Sequence, residues 1–474
     1  MKIKLFAGNK TLNSAVWYTI SSIMAKGITV LLTPFFTRIL SVSEYGEYTN
    51  FISWQNILVV IFSMELSATI LRARFDYKDN NIFSGYVFTV STFGVVFSIT
   101  VTLLIFACSG FDMENVISIK NHYIWLLIDI IVFAPLLQIF QAEQRSEVKY
   151  KVSSVITLVY GICSFLIPYI FTFFLDDKLF ALLLGIAANA TLWGAGIYFF
   201  YFIKPHGAVK TEYIKYALII AIPVIPHMIS NIIMGNSDKL MINSICGAEY
   251  AALYGVVYTC ALVVNLIRNA INNAWIPWFY KNLDEGNVAK VKNVSKNYLY
   301  LFTAASVFLC LTGPEMVMVL GGVKYYTAAK LVPMIMLGCY YNFVNLFYVN
   351  IEFYEKKTYM VSVVTVFTAL LNVLLNYICI KNWGYIAATY TTAFCNFIIV
   401  LLHYFITKKM NNKQICNNKQ IFMYCILSAI VFWAITFLYD FTEVRYTFLI
   451  LFILYNVFYI KKNKNKFNII NGQV

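Results

Sequence analysis

The 474-residue chain is 60% hydrophobic and only 12% charged, a balance that excludes an ordinary soluble globular domain. Its formal charge of +14 would suit a nucleic-acid surface, but the basic residues sit in short segments between apolar runs and read as a membrane-orientation signal. The ten cysteines form no C-x-x-C or Cys/His cluster, so neither a disulfide framework nor a metal site is expected.

Apolar runs recur along the whole length, and about 18 such residues suffice to cross the hydrocarbon core as a helix. The runs are continuous rather than alternating, so helices rather than barrel strands satisfy the backbone. Residues 1–10 are short and basic. The apolar stretch after them, 15–36, is too long for a signal-peptide core and lacks a small-residue cleavage site, so a retained first helix is expected. Fourteen spans are predicted: 14–36, 48–71, 83–107, 122–140, 152–174, 179–203, 214–235, 250–275, 297–320, 328–351, 358–380, 384–407, 420–439 and 445–460. The fold class is thus an all-α polytopic membrane protein.

Orientation follows from the 36 Lys and Arg residues. With the N-terminus inside, 26 fall in inside segments and eight in outside loops (Arg38, Lys120, Lys178, Lys239, Lys324, Lys330, Lys381, Arg445), while Lys26 and Arg268 lie within spans. Positive residues favour the cytoplasmic side, so both termini are expected there. No loop is long enough for a domain of its own. The tail from 461 to 471 is basic and rich in Asn.

A repeat is visible. Glu44-Tyr45-Gly46 opens the second span, and Gly247-Ala248-Glu249-Tyr250 opens the eighth, about 205 residues later. The helices before them carry Pro34, and Pro223 with Pro226. An even number of spans per unit gives both units one orientation. Two six-helix bundles are predicted, 1–203 and 204–407, joined by a basic linker at 204–210, with two extra helices and a basic cytoplasmic tail in 408–474.

Three stretches resemble a known family. The first is Trp17-Tyr18, Lys26-Gly27 and Thr33-Pro34-Phe35-Phe36-Thr37-Arg38, followed by Glu44-Tyr45-Gly46 and Tyr48. The second is Pro226-His227, Ser230-Asn231 and Asn236-Ser237-Asp238-Lys239 through Asn243, with Tyr254-Gly255 and Tyr258 after it. The third is Gly322, Lys324-Tyr325-Tyr326, Ala328-Ala329 and Pro333. In these the chain resembles the polysaccharide and O-antigen flippases (Wzx type) of the multidrug/oligosaccharidyl-lipid/polysaccharide exporter superfamily, over roughly residues 10–407. The resemblance implies two bundles flanking a central cavity in the bacterial inner membrane. It implies a polyprenyl-diphosphate-linked glycan as substrate, no nucleic acid, and polysaccharide polymerase and chain-length proteins as partners beside membrane lipid.

A diphosphate crossing an oily core needs a cationic, watered path, so intramembrane charges are the candidates. Lys26, deep in the first span, reads either as a diphosphate contact or as a structural ion pair. Arg268 shares a helical face with Asn265, Asn269 and Asn272, and can fork two hydrogen bonds onto a phosphate. The alternative is a polar helix end reaching the cytoplasmic surface. Asp129, Glu65 and Glu315 are candidates for a coupling proton or sodium ion, or counter-ions and helix-end residues. Pro34, Pro223 and Pro226 are hinge candidates. No cofactor is expected.

Two competing classes remain at this stage. An organic-cation exporter of the same superfamily is disfavoured by a cationic cavity. A membrane polymerase or ligase is disfavoured by short outside loops and by the lack of a nucleophile elbow, phosphate-binding loop or metal spacing.

Overall fold

Helices form where the apolar runs predict them because, in hydrocarbon, a helix alone satisfies every backbone donor within one segment. The computed structural model describes residues 21, 24, 27–28, 30–109, 114–147, 149–204, 209–410 and 415–463. Among these residues there is no strand. In chain order the helices are α1 (Val30–Ile39), α2 (Val42–Ser63), α3 (Leu66–Asp76), α4 (Asn80–Ser109), α5 (Glu114–Ile117), α6 (Asn121–Ser146), α7 (Tyr150–Phe174) and α8 (Lys178–Ile203). They continue with α9 (Thr211–Ala221), α10 (Ile225–Cys246), α11 (Ala248–Asp284), α12 (Val288–Leu311) and α13 (Gly313–Gly321). A 3₁₀ segment (Val323–Leu331) leads into α14 (Val332–Tyr354), followed by α15 (Thr358–Trp383), α16 (Ala387–Met410), α17 (Asn418–Leu438) and α18 (Thr442–Lys462).

Among the described residues, twelve helices are long and apolar enough to cross a membrane, or thirteen when the bent pair α9–α10 counts as one span. The predicted first span, 14–36, lies largely outside the described residues. Several boundaries move. The fourth span, predicted to end at 140, runs on to Ser146, and the eighth, predicted to end at 275, runs on to Asp284. The ninth, predicted as 297–320, starts at Val288 and stops at Leu311. Gly313-Pro314 then begins the separate short helix α13, since proline fits the first turn of a helix but not its interior.

The chain divides into two compact units, Met1–Ala252 and Leu253–Val474. In the first, α6 packs on α8 and α3, α7 on α8, and α10 along α2. The division therefore falls after Ala252, whereas the repeat places its joint at 204–210. The two copies of the repeated motif meet inside this unit. A Cβ added at Gly46 would stand 1.9 Å from the carbonyl oxygen of Ala248, so only glycine lets α2 approach the start of α11 so closely. Glu44 closes a capping box, accepting from the Ser41 N–H at 2.7 Å while its own N–H donates to Ser41 Oγ.

In the second unit α14 is the hub, packed against α16, α17 and α12, with α15 on α16. α18 is the opposite case: it touches α12 and α17 and leaves Phe448, Leu451, Leu454 and Phe458 exposed, as a lipid-facing helix should.

Two spans of the first unit are broken by different means. Between α9 and α10 the axis turns by 55° at a break holding Pro223, with Pro226 at the start of α10. Between α2 and α3 the break rests on Met64 (φ 47°) and Glu65 (φ 50°), adjacent non-glycine residues in the left-handed region. Such residues cost of order 1 kcal/mol each and persist only where packing holds them.

Candidate functional site

Polar groups inside apolar helices must find partners or carry function, so each was traced to its contacts. Lys26 lies outside the described residues. Arg268 sits on α11, 16 residues before that helix ends at Asp284. The helix thus runs on well past Arg268 and past the predicted end of its span. The Arg268 side chain is largely enclosed. Nη2 donates to Asn269 Oδ1 at 3.4 Å, Nε is buried without an acceptor, and no carboxylate pairs with it among the described residues. Asn265 and Asn269 are half-buried on the same helix. Asn272 departs from this group: its Oδ1 accepts from Nδ2 of the buried Asn350 at 2.9 Å, tying α11 to α14.

The predicted acids scatter. Asp129 on α6 accepts from Thr191 on α8 in a short hydrogen bond. Glu65 is buried at the left-handed break, its N–H donating to Ser63 Oγ at 3.3 Å and its carbonyl accepting from the Ala68 N–H at 2.9 Å. Glu315 is claimed by a cation that the sequence places in an outside loop. Arg445, 2% exposed, grips it with Nη1 at 2.6 Å and Nη2 at 2.5 Å, and Tyr446 donates to it at 2.7 Å. Nη1 also donates to the Leu311 carbonyl. Glu315 thus pairs with Arg445, not with Arg268. It lies beyond the end of the α12 span. Burial acts to raise its carboxyl, but the bonds from Arg445 and Tyr446 outweigh that and hold it below the usual carboxylate range.

The motif residues serve mainly as packing. Tyr45 and Tyr325 are buried, Gly321 lies against the Tyr325 ring, Asp238 is buried with Lys239 beside it, and Arg38 is exposed. Pro34 is in α1, Pro223 in the α9–α10 break and Pro226 in the first turn of α10. A cavity of about 300 Å³ in the first unit is lined by Glu47, Glu114, Lys120, Tyr123 and Asn243, with Lys120 paired to Glu47 at 3.0 Å.

Residues 11–283, more than half the chain, match the family described as polysaccharide biosynthesis protein. The chain belongs to this family. It is also similar to "Lsg locus putative protein 1" of Haemophilus influenzae, 22% identical over 77% of this chain and 90% of that one. Among solved structures, it shares a fold with the lipid II flippase MurJ in an inward closed conformation (TM-score 0.72, 14% identity, 94% of this chain and 99% of that chain). It shares it too with a multidrug resistance MATE family transporter of the MOP superfamily in an inward-facing conformation (0.65, 12%, 86% and 96%).

This member of the polysaccharide biosynthesis family also holds polar groups that sequence reasoning missed. Glu143, 1% exposed by its side chain, accepts from Tyr201 at 2.7 Å and from Lys204 at 3.0 Å. The shortened fourth span had left Glu143 outside, although Tyr201 and Lys204 share a helical face. Asn372, Asn376 and Thr391 form a buried chain between α15 and α16. Glu352 on α14 and His403 on α16, 0% and 1% exposed, meet at 2.7 Å. His403 was visible in a span; Glu352 fell one residue past the predicted end of its own.

Proposed function

We propose that the protein flips undecaprenyl-diphosphate-linked oligosaccharide units from the cytoplasmic to the outer leaflet of the bacterial inner membrane, by ion-coupled alternating access. Family membership supplies the class, polysaccharide biosynthesis. The observation that carries the reading further is Arg268, a guanidinium inside a membrane helix with a donor to spare and no carboxylate partner among the described residues. An intramembrane cation left unpaired by the protein calls for an anion from elsewhere. A diphosphate meets that need, since its oxygens match the planar fork of arginine.

In this reading Arg268 and Asn269, with Asn265, receive the diphosphate, and Lys26 adds a second cation. The breaks at Met64–Glu65 and Pro223 are the bending points. The bundles 1–203 and 204–407 descend from one duplicated unit, both termini face the cytoplasm, and O-antigen or another surface polysaccharide is the product. A polymerase and chain-length proteins act next.

Deleting the gene and labelling lipid-linked sugars tests this: the labelled intermediate should accumulate on the cytoplasmic face. Arg268→Gln should cut complementation at least tenfold and Arg268→Lys should retain part of it, as should Lys26→Arg relative to Lys26→Ala. Normal surface glycan in the deletion, with new sensitivity to cationic dyes, would replace this reading with the exporter. Full complementation by Arg268→Gln would remove the diphosphate contact.

A further inference from the structure

We propose that Glu352 and His403 form an exchangeable-proton site within the membrane helices of the second unit. Both side chains are enclosed, at 0% and 1% exposure, and Nδ1 of His403 stands 2.7 Å from Oε1 of Glu352. The other carboxylate oxygen, Oε2, is buried and has no hydrogen-bond partner among the described residues. A purely structural pair would be expected to use both oxygens, because a buried acceptor left unsatisfied costs of order 1–3 kcal/mol. Glu315 does use both of its own, on Arg445 and Tyr446.

The partner types differ in the same direction. Arginine keeps its charge under all ordinary conditions, whereas imidazole changes charge within about pH 5–8. In the proposed closed state one proton lies between Nδ1 and Oε1 while Nε2 carries a second. If α14 and α16 part, the proton leaves His403 for water, and the carboxylate and the neutral imidazole are each solvated. Closing takes one proton back. No other species is consumed.

Space that can hold water lies near the pair without being lined by it. A cavity of about 270 Å³ reaches Ile351 and Tyr404, the immediate chain neighbours of the two residues, and is bordered by Tyr348, Thr407 and Lys408. The charged and titratable groups on the packed elements nearest the pair in the chain or lining the adjoining cavities include Tyr348 and Tyr354 with the exposed Glu355 on and after α14, Tyr404, Lys408 and Lys409 on α16, Cys416 and Lys419 at the start of α17, Lys292 and Lys296 on α12 and Lys357 ahead of α15. The pair binds a proton rather than sodium because hard cations prefer all-oxygen shells, and an imidazole nitrogen occupies one side here.

This proposal rests on the transport reading and deepens it by naming the ion exchanged. The purified full-length chain in lipid nanodiscs would be followed by infrared difference spectroscopy between about pH 5 and 8. The expected result is a carboxyl or imidazole signal lost in Glu352→Gln and in His403→Gln, each measured alone in case one fails to fold, and retained in Glu315→Gln. A wild-type spectrum with no signal dependent on Glu352 or His403 would overturn the proposal, as would a signal displaced by sodium at constant pH. A gene deletion with normal surface glycan would remove the transport reading and leave this spectral result standing.

Discussion

The second unit holds two carboxylate pairs of opposite design, one with Glu315 39% exposed by its side chain and one with both side chains enclosed. At one, Arg445 spends its guanidinium on both oxygens of Glu315 and on the Leu311 carbonyl, and so clamps the lipid-facing α18 to the α12–α13 junction. At the other, Glu352 and His403 share a single contact between the two most central helices, and one oxygen stays unsatisfied. The pair whose carboxylate is saturated serves the periphery, where a helix with little buried surface needs a tether, although Arg445 Nε is itself buried without an acceptor. The pair with an orphan carboxylate oxygen sits in the hub, where packing alone would suffice and a costly polar contact needs another justification. The two differ in how fully the carboxylate is bonded and in how far it is buried.

The largest effect should come from breaking the clamp. Arg445→Met leaves Glu315 and the Leu311 carbonyl without their donor. After discounting for the partial exposure of Glu315, it should destabilise the second unit by about 2–3 kcal/mol. Denaturant unfolding of the purified protein would measure it, and a change within about 0.5 kcal/mol would deny the clamp its role.

Glu352→Gln should cost less, about 1 kcal/mol, because the amide can still donate to the imidazole and the orphan oxygen no longer carries charge. Complementation should nevertheless fall more for Glu352→Gln than for Glu315→Gln. Equal losses would make the two pairs equivalent, and the reverse order would invert the comparison.

The smallest effect is an acid one. Glu315 is held below its ordinary carboxyl range, so its folded value lies below the unfolded one. Its contribution is therefore present above the unfolded value, about pH 4, and is lost as pH falls through the folded value. The melting temperatures of the wild type and Glu315→Gln should differ at neutral pH and converge in acid. A gap that persists unchanged to the lowest pH reached would remove Glu315 as a pH-linked group.

Much of this was readable in advance. Apolar runs located the spans, since a helix in lipid is dictated by composition over a window rather than by any one contact. Pro223 announced the α9–α10 break, because a missing N–H is a local fact. The α2–α3 break was invisible, as Met64 and Glu65 have no intrinsic preference for left-handed backbone and are held there by their surroundings. Arg445 was read as a topology residue. A cation in the first turn of a helix, against the positive end of its dipole, was the signal that it had a partner.

By itself the sequence determined that this is a helical membrane protein, roughly where its spans lie, and which family motif it carries. All of these follow from local composition and spacing. Tertiary structure alone decided which charges find partners: that Glu315 belongs to Arg445, that Arg268 pairs with no acid among the described residues, and that Glu352 meets His403 with an oxygen left over. Those partners are 130 and 51 residues apart, and the free energy of a charge in a protein depends on what lies within a few ångströms of it in space.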